Sequence, residues 1–245
     1  MNANVPPTAA LVAKLTARDD LSAEEIAVLQ GMMSEPRIVQ GGHDIVRDGD
    51  RPGHSTLLID GFACRYTTLK DGGRQITALH VAGDFVDLHS FMLKEMDHGV
   101  GALTLCRIAT VDHGRLLEIT HTHPHLTRMF WLLTLIDGSM HREWLVGMGR
   151  RPALGNAAHF ICEIYTRLSV VGMAADNAFV LPLTQVELGD VLGLSSVHVN
   201  RVLQELRSGE LITWTGQNVV ILDWDALADL AEFDPRYLHV VKEPR

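Results

Sequence analysis

Residues 183–211, LTQVELGDVLGLSSVHVNRVLQELRSGEL, constrain the chain most, because every local signal in that stretch agrees. Thr184, with Glu187 three residues later, fits a capping box opening a first helix, to which Val186, Leu188, Val191 and Leu192 supply the apolar residues. Gly193 stands where the chain must turn sharply. Ser195 then caps a second helix whose buried face is Val199, Val202, Leu203 and Leu206. Residues 211–214, 215–218 and 219–222 read as strand, turn and strand, a two-stranded wing. The expectation is a winged helix-turn-helix.

The second helix turns Ser196, Val197, Asn200 and Arg201 away from its buried face, near the end that enters the major groove in such motifs. Arg201 suits guanine O6 and N7, Asn200 suits adenine, and Val197 suits a thymine methyl. Thr184, Gln185, Ser195 and His198 are placed as phosphate donors, which set register without reading sequence. The partner expected is therefore double-stranded DNA. Charge tempers this: the chain carries a net −9, and residues 184–216 hold two arginines against four acids. The expected grip on phosphate is light, with few counterions released. Two other readings of the same residues stand beside it. One is a pair of short helices and a hairpin inside an enzyme; the other is a helix-turn-helix that contacts only protein.

The rest of the 245 residues has room for a second core. Nothing approaches the ~18 consecutive apolar residues of a membrane span, and residues 1–10 lack the basic patch and apolar run of a secretory leader. Cys64, Cys106 and Cys162 are odd in number and far apart, as free thiols of a reducing cytoplasm would be. Residues 8–33 show helical spacing with a second capping box at Ser22 and Glu25. Short apolar runs at 38–39, 44–47, 56–59, 63–67, 75–80 and 103–111, separated by glycine turns, predict an antiparallel barrel or roll. After Pro124, Leu126, Met129, Leu133, Ile136, Met140 and Trp144 step by three and four, predicting a long helix that pairs with its own copy in a two-fold dimer. An internal core helix is the alternative. Gly147-Met148-Gly149 before Arg150-Arg151-Pro152 marks a boundary. Expected domains are a sensor roll with its N-terminal helix at 1–122, the long helix and hinge at 123–150, and the winged helix-turn-helix at 151–245.

The order of roll, long helix and winged helix-turn-helix resembles the Crp/Fnr family of bacterial regulators over nearly the whole chain. The resemblance is carried by IVRDGDRPGHSTLLIDGFACRYTTLKDGGRQITALHVAGDF at 45–85, LSSVHVNRVLQELRSGELI at 194–212 and the tail WDALADLAEFDPRYL. It implies an α+β fold: an antiparallel β-roll of the cyclic-nucleotide-binding type (a double-stranded β-helix), a dimerisation helix and a winged helix-turn-helix. It further implies a homodimer on a near-palindromic operator, often recruiting RNA polymerase. On it Ser196, Val197 and Arg201 occupy base-reading positions. Several relatives carry an arginine and a glutamate where Ser196 and Val197 stand, so the operator should differ from theirs.

Its implications for the sensor half are mostly negative. Cyclic-nucleotide-binding relatives follow the glycine-aspartate turn with a glycine-glutamate pair and later an arginine-serine pair. Here the turn continues as Val86-Asp87-Leu88-His89, and no arginine lies between Arg74 and Arg107. Lys94 supplies a point charge without the fork geometry. The cysteine cluster of oxygen-sensing relatives is missing near the N-terminus. One haem-containing, gas-sensing branch carries a histidine near the position of His89, so haem stays open as an alternative. Asp84, Asp87 and His89 are the candidate effector pocket. His121, His123 and His125 invite a metal, but Pro124 breaks their alternation, so a turn and cap are expected, with no metal site. No nucleophile elbow, phosphate loop or zinc-protease motif supports a cupin-like enzyme, so no catalytic residues are assigned.

Overall fold

The fold is that of a computed structural model, described over residues 6–245; the expectations for residues 1–5 lie outside the described residues. The chain divides into two compact units. The first comprises residues 1–67, 78–137 and 240–245; the second comprises 68–77 and 138–239. The division falls within the long helix instead of at its glycine-rich end, because the two halves of that helix pack on different cores.

The first unit opens with α1 (Ala9–Thr16) and α2 (Ala23–Gly31), two helices where one periodic stretch was expected. The break follows from Ser22, whose side chain accepts from the Glu25 amide while Glu25 reaches back, a complete capping box that starts a new helix. Strands β1 (Arg37–Val39), β2 (Asp44–Val46), β3 (His54–Asp60), β4 (Ala63–Thr68) and β5 (Arg74–His80) fall close to the expected runs. After the short α3 (Ser90–Leu93) come β6 (Gly99–Ala102) and β7 (Cys106–Asp112). Of the run expected as a strand at 103–111, residues 106–111 fall in β7, while 103–105 turn the corner from the unexpected β6, where Thr104 Oγ1 accepts from the Phe62 amide at 2.9 Å. β6, Gly-Val-Gly-Ala, has too little β propensity to announce itself. The strands form two sheets, ordered β1-β7-β3 and β2-β6-β4-β5. One core cluster (Val39, Leu58, Val86, Met96, Val100, Ile108) lies inside the roll.

A second cluster joins α1, α2 and the roll to α4 (His113–Thr122) and to the first half of α5 (Pro124–Arg150). Leu126 and Met129 are fully buried in this cluster, Leu133 packs against it, and Ile136 is buried too. Trp144 donates its indole N–H to Glu163 of the same chain. A side chain sealed in its own core cannot meet a partner, so Leu126, Met129 and Ile136 lie on the inward face of α5, while Leu133, Met140 and Trp144 are half-buried. Outside stand Trp131, Leu135 and Leu145, 66%, 55% and 68% exposed. With Gly138 and Arg142 they follow one another by four, three, four and three residues.

The histidine-rich segment closes α4 and opens α5. His123 caps α4, and His125 sits between Glu25 Oε1 (2.6 Å) and Asp19 Oδ2 (3.1 Å). Burial alone would lower the His125 pKa, but hydrogen bonds to the two carboxylates outweigh it and hold the pKa above the ordinary value. The three histidines do not converge, and among the described residues no three His, Cys, Asp or Glu side chains are grouped to hold a metal ion. All three cysteines are buried, and burial pushes the Cys162 thiol up to about 12.

In the second unit, α6 (Ala153–Val170) runs almost wholly buried beneath β8 (Ala174–Ala175), β9 (Ala178–Val180), α7 (Gln185–Leu192), α8 (Ser196–Ser208) and α9 (Trp224–Ala231). The wing strands β10 (Ile212–Thr215) and β11 (Asn218–Ile221) pair as expected, but the sheet is four-stranded, ordered β10-β11-β9-β8. The β8–β9 hairpin turns on Asp176 and Asn177, both in the left-handed region, the signature of a two-residue hairpin turn. No described helix is long and apolar enough to cross a membrane.

Candidate nucleic-acid interface

The helix-turn-helix assembles where the sequence places it. Thr184 and Glu187 form a complete capping box on α7, Gly193 ends that helix at φ 68°, and Ser195 Oγ accepts from the His198 amide to open α8. The α8 positions Val199, Val202, Leu203 and Leu206 are buried against the unit's core. Sequence reasoning overlooked Gly189. A Cβ there would stand 2.5 Å from the Leu194 carbonyl oxygen, so the close approach of α7 to the turn requires glycine.

With one face buried, the helical period exposes the other. Ser196, Val197 and Arg201 are exposed and Asn200 half-buried, all on the opposite side of α8. Val197 is 80% exposed, an aliphatic side chain held in water at the leading turn of the helix. Gln204, one turn beyond Asn200 and Arg201, is exposed too and extends this polar face. Arg207, near the end of α8, donates from Nη2 to the Trp214 carbonyl at 3.0 Å, tying the helix to the wing.

The phosphate-donor assignments fare unevenly. Gln185 is exposed at the first turn of α7, next to the capped helix N-terminus. Ser195 uses its oxygen as an acceptor, which leaves the hydroxyl proton to donate outward; His198 is half-buried beside it. Thr184 is different. Its hydroxyl and its amide both point to Glu187 Oε2, each at 2.8 Å. The capping box occupies the donors that a phosphate would need, so Thr184 is a structural cap.

The local charge is also less acidic than composition suggests. Asp190 of α7 is bridged by Arg74 Nε at 2.8 Å, and Gln75 Nε2 donates to the Asp190 carbonyl at 2.6 Å, satisfying the end of the helix. Glu187 is folded onto its own cap. Two of the four acids are thus engaged internally.

The residues proposed for the effector pocket separate in the same manner. Asp84 takes the Lys14 ammonium and the Val81 amide (2.9 Å), fastening the turn to α1. Asp87 is fully buried and accepts from the amide and hydroxyl of Thr56, the latter at 3.1 Å. Burial pushes its carboxyl up to about 7 against those hydrogen bonds. Both are structural. His89 alone keeps a buried ring nitrogen, Nε2, without a hydrogen-bond partner among the described residues. Its ring lies 4.9 Å from that of His98, whose Nε2 is in the same position. Burial first, then the Arg65 charge, lowers the His89 pKa to about 4, so the imidazole is neutral at physiological pH. Arg65 itself is buried and paired with Asp137 at 2.9 Å.

Against known proteins, residues 36–123 match the cyclic nucleotide-binding domain and residues 157–230 the Crp-like helix-turn-helix domain. The transcriptional activator protein FnrL of Cereibacter sphaeroides is 27% identical over 216 residues, 86% of each chain. The nitrogen fixation regulation protein FixK of Bradyrhizobium diazoefficiens is 29% identical over 171 residues, 68% of this chain and 69% of that one. The structure of FixK2 from Bradyrhizobium japonicum superposes with a TM-score of 0.71 at 20% identity, covering 81% of this chain and 96% of the other. A roll that matches the cyclic nucleotide-binding domain, joined to a Crp-like helix-turn-helix, with regulators as its relatives, makes this chain a member of the Crp/Fnr family of transcription regulators.

Proposed function

We propose that the chain is a homodimeric, sequence-specific transcription regulator of the cytoplasm that reads a near-palindromic operator with Ser196, Val197, Asn200 and Arg201. The observation that carries this reading is the α8 face: polar and aliphatic groups held outward at the leading turns of a fully capped helix-turn-helix. Dimerisation is supported by the stripe Trp131, Leu135, Gly138, Arg142 and Leu145, whose mean interval of 3.5 residues suits a two-helix seam and whose large apolar members are exposed. RNA polymerase is the further partner the family suggests.

The roll is proposed not to take cyclic nucleotide. Its buried arginine, Arg65, already faces Asp137, and Asp87 holds the backbone at Thr56 where relatives have a glycine-glutamate pair. His89 is the residue left to meet an effector, whether haem or another small ligand.

Selection of bound duplexes from a random pool, with and without cell extract, tests the main reading. Wild-type protein should recover paired half-sites. Arg201→Ala should retain the fold and lose about 5- to 150-fold in affinity, with relaxed preference at one base pair per half-site. Recovery of no sequence, or an Arg201→Ala profile identical to wild type, would reject it.

A further inference from the structure

Glu163 of α6 is fully buried, and its carboxylate draws together three donors from three elements. Oε1 accepts from Arg167 Nη1 at 3.1 Å, one turn further along α6. Oε2 accepts from Trp144 Nε1 at 3.0 Å, in the second half of α5, and from the Tyr237 hydroxyl at 2.9 Å, in the 3-10 turn Pro235–Leu238. The rings pack around these bonds. Trp144 meets Phe160 edge-on at 5.9 Å, and Tyr237 stacks on His159 at 5.7 Å. Nearby, the Asn156 side chain lies against Gly147, where a Cβ would fall 2.2 Å from its Oδ1.

A buried carboxylate deprived of donors is strongly unfavourable, so Glu163 holds its partners in place. An indole has one N–H with one direction, which makes the Trp144 bond sensitive to the angle of α5. On its other side α6 packs directly on α7, α8 and α9. The end of α5 is thereby tied to α6, and through it to the helix-turn-helix, by a directional hydrogen bond to Glu163. None of this is needed for base contact, and Trp144 is not on the exposed stripe of α5.

We infer that the Trp144–Glu163 hydrogen bond is the positioning contact that sets the angle of α5 against the winged helix-turn-helix. In the homodimer proposed above, on which this inference rests, that angle fixes the spacing between the two recognition helices on DNA. Trp144 and Glu163 are thus specificity-determining residues that touch no base.

Two variants separate this role from mere stabilisation. Trp144→Phe and Tyr237→Phe each remove one donor to the same carboxylate oxygen while leaving an aromatic ring in place. Full-length proteins are titrated by fluorescence anisotropy with duplexes carrying the selected half-site once, or twice with spacers varied in single base-pair steps. Sedimentation equilibrium and urea denaturation are run in parallel.

Trp144→Phe should lose about tenfold on the best-spaced duplex, the size of one buried hydrogen bond, and tolerate neighbouring spacings nearly as well. Its affinity for the single half-site should not change. Tyr237→Phe should be destabilised to urea yet keep the wild-type spacing profile. Glu163→Gln should broaden the profile as Trp144→Phe does. A dimeric Trp144→Phe with an unaltered profile overturns the inference alone, as does equal broadening by Tyr237→Phe. A monomeric wild-type chain that binds one half-site overturns the dimer reading beneath it.

Discussion

Raising salt should weaken DNA binding only gently, and the structure allows the slope to be worked out. Residues 184–216 present two cations, Arg201 and Arg207. Arg207 hydrogen-bonds a neutral carbonyl, which leaves its charge available to phosphate. Asp190 is neutralised by Arg74, while Glu205 and Glu210 stay exposed and oppose the phosphates. Two cations per half-site give about four phosphates neutralised by a dimer, or about two if each Arg201 is occupied with guanine. At −0.9 per phosphate the slope of log K against log salt is then about −2 to −4. Between 50 and 200 mM salt the affinity should fall by about 10- to 150-fold, against about 10³–10⁵ for a protein making six to ten phosphate contacts. Anisotropy titrations of the selected operator at several potassium chloride concentrations and fixed pH measure it. A slope steeper than about −6 would refute the reasoning, because it would require cations that the helix-turn-helix does not present.

Two further outcomes follow from the packing. Gly189→Ala places a Cβ against the Leu194 carbonyl and should cost about 1–3 kcal/mol, seen as a lower Tm together with weaker operator binding; an unchanged Tm would disprove the close approach. Asp87 titrates near 7 in the folded chain, against 3.8 ordinarily. Between those values the folded state keeps a proton that the unfolded state has released. Stability should therefore fall as pH rises through that window and level off above about 7. Asp87→Asn should flatten that descent in urea denaturation at pH 5, 6, 7 and 8, and an identical pH profile in both proteins would count against it.

The helix-turn-helix was legible because its determinants are local. A threonine and a glutamate three apart, a glycine at the turn, a serine cap and a 3.6-residue apolar rhythm act within one or two turns of helix, so reading them needs no knowledge of distant residues. The roll was legible at the level of its turns, with one strand lost where glycines dilute the β signal. What misled was α5. Its sequence carries two apolar stripes, and periodicity alone does not say which one a neighbouring core will claim. The seam through Leu126 and Met129 looked like a dimer surface, and the fold buried it in the chain's own first unit.

Site chemistry divides along the same line. Residue type and helical phase alone nominated Arg201, Val197 and Asn200, and α8 turns them outward. Which polar groups are already engaged is a different kind of fact, because it depends on partners tens of residues away. Thr184 is the local exception: its own capping box takes the proton that a phosphate would need. Asp84 meets Lys14 across 70 residues, Asp87 meets Thr56 across 31, and Glu163 meets Tyr237 across 74. The helix-turn-helix and the outward face of α8 could be read locally, since short-range hydrogen bonds and helical period suffice. Which face of α5 is outside, which carboxylates are structural, and which buried histidine nitrogens meet no hydrogen-bond partner among the described residues could not be read locally, because these depend on long-range packing and desolvation.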